Sequence, residues 1–275
     1  MQGQMPALYK RSRLDYLVGT VKATTRSLRA LKGVRPLVCL TAYDAVTARL
    51  ADAGGADLIL VGDSVGNAVL GFPSTVPVTL DIMAHHTAAV CRAKPSALVV
   101  ADIPFALAHD SFPTLLRACR RLLQESGAEA VKIEGGVTLA KSIAKLVDAG
   151  IPVMGHVGLM PQRVHAAGYR RRGVTDEDRA AVIADAAAIA DAGAFSIVAE
   201  CVEPSLAREL CQAVDVPIVG IGSGRDCDGQ ILVIHDLLGL SENPPPFAKP
   251  MAHLGRDAVR AIARWGKSVR KGGRR

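Results

Sequence analysis

Four short apolar runs in the chain, LILVGDS, LVVADIPF, AVKIEGG and SIVAECV, each close on an acid and place Asp63, Asp102, Glu134 and Glu200 just past their ends. A continuous apolar run of this length suits a parallel strand that helices cover on both faces. The C-terminal ends of such strands are where α/β folds gather their ligands. Acids from several strands then converge, and converging carboxylates require a metal, another cation or a shared proton. The pattern predicts a metal-assisted enzyme.

Eight runs qualify as strands: 36–44, 57–64, 97–105, 130–136, 151–159, 195–202, 216–224 and 229–239, the last with a helical component. Helical patterns fall between them at 45–55, 79–93, 111–128, 137–150, 175–194 and 204–214. Several stop at glycine, a C-cap signal, and 175–194 opens on acids that the helix dipole favours. Right-handed alternation of strand and helix gives a doubly wound sheet or a closed barrel, and eight strands in about 200 residues favour the (β/α)8 barrel. No G-x-G-x-x-G follows the first strand, which argues against a dinucleotide fold. The polar, basic segment 159–174, LMPQRVHAAGYRRRGV, reads as a long loop after strand five, and such loops serve as lids.

Composition narrows the class. The 275 residues are 49% hydrophobic and only 4% aromatic, as a core of parallel strands and Ala-rich helices requires. No apolar run approaches the roughly 20 residues that span a bilayer, and the start lacks the apolar region of a secretory signal, so a cytoplasmic enzyme without membrane contact is expected. The six cysteines, Cys39, Cys91, Cys119, Cys201, Cys211 and Cys227, form no C-x-x-C pair and read as reduced thiols. The net charge of +7 is unevenly spread: residues 1–36 and 255–275 each carry +7, which leaves −7 on 37–254. Basic ends without interleaved aromatics read as solvated or subunit-packing segments rather than nucleic-acid sites. The organisation expected is a basic extension (1–23), a catalytic barrel (24–250) and a C-terminal helix with a basic tail (251–275). On that helix Ile262 and Trp265 share one face that could dock on a neighbour.

Asp63 and Asp102, ending adjacent strands, make a partial coordination shell for Mg²⁺, which prefers oxygen ligands and keeps water or substrate oxygens in its other positions. Alternatively, each acid caps the helix that follows it. Lys132 and Glu134 flank Ile133 and so face the same side of their strand. In a barrel interior Lys132 can hold a substrate carboxylate while Glu134 supports the metal or its water; otherwise the two form a buried ion pair. Glu200 among apolar walls suits a general base for a weakly acidic C–H, or else pairs with a lid arginine such as Arg170 or Arg171. His156 can polarise a carbonyl or orient Glu200, or be merely hydrogen-bonded. GIGSG (220–224) is a weak phosphate-loop signal equally explained by tight backbone geometry. His85 and His86 read as structural, with His86 near the pocket.

Longer phrases carry a resemblance. LTAYDAVTARLADAGGADLILVGDSVGNAVLG, STVPVTLDIMAHHTAAV, ADIPF, VKIEGG, GHVGLMPQ, AECV, PIVGIGSG and CDGQILVIHDLLGL occur in order from about Thr24 to Lys249. They resemble the 3-methyl-2-oxobutanoate (ketopantoate) hydroxymethyltransferase family. The resemblance implies a (β/α)8 TIM barrel of the isocitrate lyase and phosphoenolpyruvate mutase type. It implies transfer of a hydroxymethyl group from 5,10-methylenetetrahydrofolate to 3-methyl-2-oxobutanoate, giving 2-dehydropantoate for pantothenate synthesis through a Mg²⁺-stabilised enolate. By the family's pattern Asp63, Asp102 and Glu134 form the metal site, Asp63, Ser64, Asp102 and Lys132 contact the 2-oxo acid, and Glu200 accepts the proton. Ring-stacked homo-oligomers, decamers by resemblance, are also implied. Met160 stands where the family often has threonine, and the lid 161–173 is shorter and more basic, which bears on the folate side of the site. Two rival readings are a Mg²⁺-dependent C–C lyase on the same barrel, though no KKCGH-like loop is present, and a non-catalytic barrel used as a scaffold.

Overall fold

A computed structural model describes residues 22–272. The eight parallel strands are β1 (Leu37–Thr41), β2 (Leu58–Val61), β3 (Leu98–Asp102), β4 (Ala130–Glu134), β5 (Val153–Gly158), β6 (Ser196–Glu200), β7 (Ile218–Ile221) and β8 (Gly229–Leu232). They pair in sequence order, and β8 returns to β1 with Leu37 opposite Gly229, so the sheet closes into a barrel. The helices are α1 (Thr25–Arg29), α2 (Ala45–Ala53), α3 (Val65–Ala68), α4 (Leu80–Cys91), α5 (Phe112–Arg120), α6 (Ala140–Asp148), α7 (Val164–Ala167), α8 (Asp176–Asp191), α9 (Pro204–Ala213), α10 (Ile234–Leu237) and α11 (Leu254–Arg270).

The period-two alternation of each strand sorts its side chains between two cores. Leu37, Cys39, Leu58, Leu60, Leu98, Val100, Ala130, Met154, Val198, Val219 and Ile231 fill the lower barrel interior, and Leu28 on α1 joins them there. Ile59, Val61, Val99, Val131, Ile133 and Ile197 belong instead to the layer shared with the surrounding helices. Each fully buried aliphatic side chain contributes ~1.5–3 kcal/mol, so the alternation accounts for register as well as stability. Toward the C-terminal ends of the strands the interior changes character: Asp102, Lys132, Glu134 and His156 are all buried.

The expected strands are observed with shorter ends, because the residues that follow each apolar run turn into the loops that carry the site. The last run splits: β8 holds four residues and α10 begins at Ile234, whose N–H donates to Thr41 Oγ1 (3.1 Å) across the barrel mouth. The segment 159–174 contains a single turn at Pro161–Arg163, then α7 and a bridge from Arg172 to Val202. Gly158, at φ +93°, opens this segment, and a Cβ there would meet the Glu200 carbonyl at 2.3 Å. Only glycine lets the lid leave β5 so close to β6. At the other end of the chain α11 has no buried residue, and Ile262 and Trp265 are 66% and 68% exposed. The basic extension lies outside the described residues up to residue 21, as does the tail beyond 272; Lys22 and Ala23 are tied to the start of β3 through Ala97 O (2.6 Å) and Ser96 O (2.8 Å).

Candidate active site

The acids gather at the barrel mouth in a cavity of about 770 Å³ that is lined by Asp63, Asp102, Lys132, Glu134, His156 and Glu200. Register explains the meeting: Asp102 lies opposite Lys132 on the neighbouring strand, Glu134 opposite His156, and Gly158 opposite Glu200. All of these positions, Gly158 with Met154 and His156 included, belong to the inward-facing sets of their strands.

Three of the four carboxylates in the mouth, those of Asp63, Asp102 and Glu134, have one oxygen held by a hydrogen bond and one left over. Asp102 Oδ2 accepts from the Asp63 N–H (3.0 Å). Asp63 Oδ2 accepts from Gln162 Nε2 (2.9 Å), and Glu134 Oε2 from the Gln162 N–H (3.2 Å). Of the remaining oxygens, Asp102 Oδ1 lies 2.8 Å from Lys132 Nζ, yet it is buried and accepts no aligned hydrogen bond. Glu134 Oε1 is 3.5 Å from His156 Nδ1. Neither Asp63 nor Asp102 caps a helix; that part is played by Asp44 at the head of α2, whose carboxylate accepts the Val46 and Thr47 N–H groups.

Four acids face one lysine, and the electrostatics reflect it. Burial, then the neighbouring Asp102, pushes the Asp63 carboxyl up to about 7. Burial and Asp63 hold Glu134 well above the ordinary carboxylate range. Burial pulls Lys132 down, but Asp102, Glu134 and Asp63 outweigh it and keep the ammonium charged. Burial and the Lys132 charge lower His156, so its ring is neutral. Lys132 Nζ lies 3.4 Å from His156 Nδ1. We assign Nδ1 as the acceptor, which leaves the ring proton on Nε2, 3.3 Å from Glu200 Oε2 though not aligned on it. Glu200 thus faces His156 rather than the lid arginines; Arg171 instead donates to the Val202 carbonyl (2.9 Å) and approaches Glu203.

This donor set fits a hard divalent cation. The described residues include no ready group of three His, Cys, Asp or Glu ligands, as a structural zinc would need. What they offer is a few carboxylate oxygens in a mouth where four acids outnumber one lysine, which suits an ion that takes most of its ligands from water and substrate. Asp63 and Asp102 would hold it, with Glu134 beside them.

Other residues were not legible as site members. Tyr43 is buried with its hydroxyl 2.9 Å from Ser64 Oγ, and His86 Nδ1 donates to the Tyr43 carbonyl (2.6 Å), so the paired histidines include a support for the pocket wall. Gln162 lay inside the GHVGLMPQ phrase, which was its only signal. In GIGSG, Gly222 and Gly224 have φ of +65° and +86°, and Ser223 Oγ donates to Ala199 O (2.8 Å) while accepting from the Val202 N–H (3.1 Å). That loop ties β6 to β7, and backbone geometry accounts for its two glycines.

The fold is a closed (β/α)8 barrel with an acidic cavity at its mouth. Solved structures with this fold include a phosphonopyruvate hydrolase in complex with oxalate and Mg²⁺ (TM-score 0.60, 16% identity, covering 91% of this chain and 88% of that one). A 2,3-dimethylmalate lyase is similar at TM-score 0.58 and 19% identity, over 90% of this chain and 88% of its own. The family model for ketopantoate hydroxymethyltransferase matches residues 22–273, and the chain belongs to that family. Its relatives include the 3-methyl-2-oxobutanoate hydroxymethyltransferases of Pyrobaculum islandicum (54% identity, 88% of this chain and 92% of the relative) and Moorella thermoacetica (49%, 91% and 94%).

Proposed function

We propose that this chain transfers the one-carbon unit of 5,10-methylenetetrahydrofolate to 3-methyl-2-oxobutanoate, giving 2-dehydropantoate and tetrahydrofolate for pantothenate and coenzyme A synthesis. The observation that carries the reading is the line Asp102–Lys132–His156–Glu200, which sets a fixed cation and a carboxylate base on opposite sides of a neutral imidazole. Mg²⁺ bound at Asp63 and Asp102 would act as a Lewis acid toward the 2-oxo acid.

The chain's own groups do the rest. Lys132 neutralises the substrate carboxylate and sets its direction. Ser64, backed by the Tyr43 hydroxyl, hydrogen-bonds the same substrate. Glu200 takes the C3 proton, and the Nε2–H of His156 directs that carboxylate toward it. Water adds to the folate's methylene carbon and both of its C–N bonds break, releasing tetrahydrofolate and a formaldehyde-level carbonyl; C3 then bonds to that carbon, and its oxygen takes up a proton to become the hydroxyl. The outer cavity wall of Phe72, Leu240 and Phe247 gives the folate ring an apolar surface. The reading includes a cytoplasmic location and self-association through α11, whose apolar face lies open. No helix among the described residues is long and apolar enough to cross a membrane, and all six cysteines are free thiols.

The test follows 2-dehydropantoate formation from both substrates, with and without Mg²⁺, in wild type and Asp63→Ala. Metal-dependent turnover that the variant loses is the expected result. Cleavage of a 2-oxo acid in the absence of folate would replace this reading with the lyase.

A further inference from the structure

Gln162 has no part in the chemistry above, yet it is hydrogen-bonded to two of the mouth's acids. It is buried at the start of the lid, in the single turn Pro161–Arg163. Both protons of its amide are used: Nε2 donates to Asp63 Oδ2 (2.9 Å) and to the Ile103 carbonyl just past β3 (3.0 Å). Its main-chain N–H donates to Glu134 Oε2 (3.2 Å). One residue of the loop after β5 is therefore fastened to the ends of β2, β3 and β4.

The far end of the lid is fastened independently. Arg172 N donates to the Cys201 carbonyl (2.9 Å), and Arg172 Nε donates to Asp178 Oδ1 (2.8 Å) at the head of α8. Between the two anchors lie α7 and Tyr169, which lines the cavity although 64% of it is exposed.

We propose that Gln162 is a positioning residue that couples the order of the lid to the affinity of the acidic mouth for its divalent cation. The inference rests on the reading that Asp63 and Asp102 bind that cation. By engaging Oδ2 of Asp63 and Oε2 of Glu134, Gln162 decides which oxygen of each acid stays free for a ligand, as outer hydrogen-bond partners of metal ligands do. A neutral amide suits the position: it donates two hydrogen bonds without adding charge, whereas a carboxylate would be a fifth acid against one lysine and an aliphatic side chain would leave Asp63 unheld. Because the lid and Asp63 share this contact, coupling must run both ways: a cation that fixes Asp63 also orders the lid, by the same factor by which an ordered lid tightens the cation.

The experiment titrates Mn²⁺ into the full-length protein, reading free Mn²⁺ by electron paramagnetic resonance, for wild type, Gln162→Leu and Gln162→Asn. In parallel, trypsin cleavage at Arg170 and Arg171 is timed with and without Mn²⁺. The variants are expected to bind Mn²⁺ about 10- to 100-fold more weakly, and to lose the protection that Mn²⁺ gives the wild-type lid. Gln162→Asn keeps the amide but shortens it by one methylene, so it carries the same expectation if the leucine variant fails to fold by circular dichroism. Folded variants with wild-type affinity and wild-type lid protection overturn the proposal while leaving the metal reading intact. A wild type that takes up no Mn²⁺ overturns the metal reading and this inference with it.

Discussion

The lower and upper halves of the barrel interior are made by the same strands, often by residues two apart, and they are opposite in nature. Ala130 and Val100 lie in an apolar plug, while Lys132 and Asp102, one inward position further along the same strands, lie among buried charges. The plug gains from burial at every position. The mouth is costly to assemble: like charges are pressed together in a low dielectric, and Asp63 and Glu134 respond by holding protons more tightly. One half is built for stability, and the other draws on that stability to keep an arrangement that water would disperse.

Substitutions break the comparison in order of size. Asp63→Ala or Asp102→Ala is expected to lower turnover ~10³-fold or more, since the Lewis-acid contribution is worth several kcal/mol. The melting temperature should hold or rise for Asp63→Ala, which removes one of the crowded acids, and fall for Asp102→Ala, which leaves the buried Lys132 ammonium and the Asp63 N–H without their partner; a thermal melt beside the product assay reads both, and wild-type turnover would count against the site. Glu200→Gln keeps shape and removes the base, so kcat should fall by about 10²- to 10⁴-fold with KM little changed. Steady-state kinetics in both substrates check this, and a change confined to KM would make Glu200 a binding group.

Leu58→Ala probes the other half. It should destabilise the fold by ~2–5 kcal/mol through a cavity in the plug, measured by denaturant unfolding, while the folded fraction keeps its kcat. A kcat loss without destabilisation would show that the halves are not separable. The smallest effect concerns the rim of the mouth, where Arg172 and then the Gly173 N–H, against the opposing pull of burial, hold Asp178 below the usual aspartate range. That stability is present above the ordinary aspartate pKa of about 4 and is lost as pH falls through the lower folded value. Asp178→Asn should therefore melt lower at neutral pH by ~1 kcal/mol or less and converge with wild type in acid; parallel melting curves at any pH would refute the assignment.

Much of the mouth could be read before folding because strands announce themselves twice, by apolar content and by alternation. Ile133 between Lys132 and Glu134 is enough to put both charges on one side, and the barrel makes that side the interior. Residues outside strands carried no such mark. Asp44 and Asp63 each follow an apolar strand, yet Asp44 caps α2 while Asp63 accepts from Gln162, 99 positions away. Local sequence cannot separate them, because the difference is made by a distant partner. The Glu200 pairing was open for the same reason: His156 and Arg171 were both within reach in principle, and only the register of β5 with β6 brought the histidine to 3.3 Å.

Sequence by itself determined the number of strands, the closed barrel they form, the inward acids and, through its ordered phrases, the family. These follow from periodicity and burial, which act over a few residues and leave their imprint in the order of the chain. Tertiary structure decided which oxygen of each acid is held, which nitrogen of His156 faces Glu200, and that Gln162 and Tyr43 belong to the mouth. Those are matters of direction and of ångströms between segments far apart in the chain, and they are settled only when closure of the barrel fixes every strand end against its neighbours.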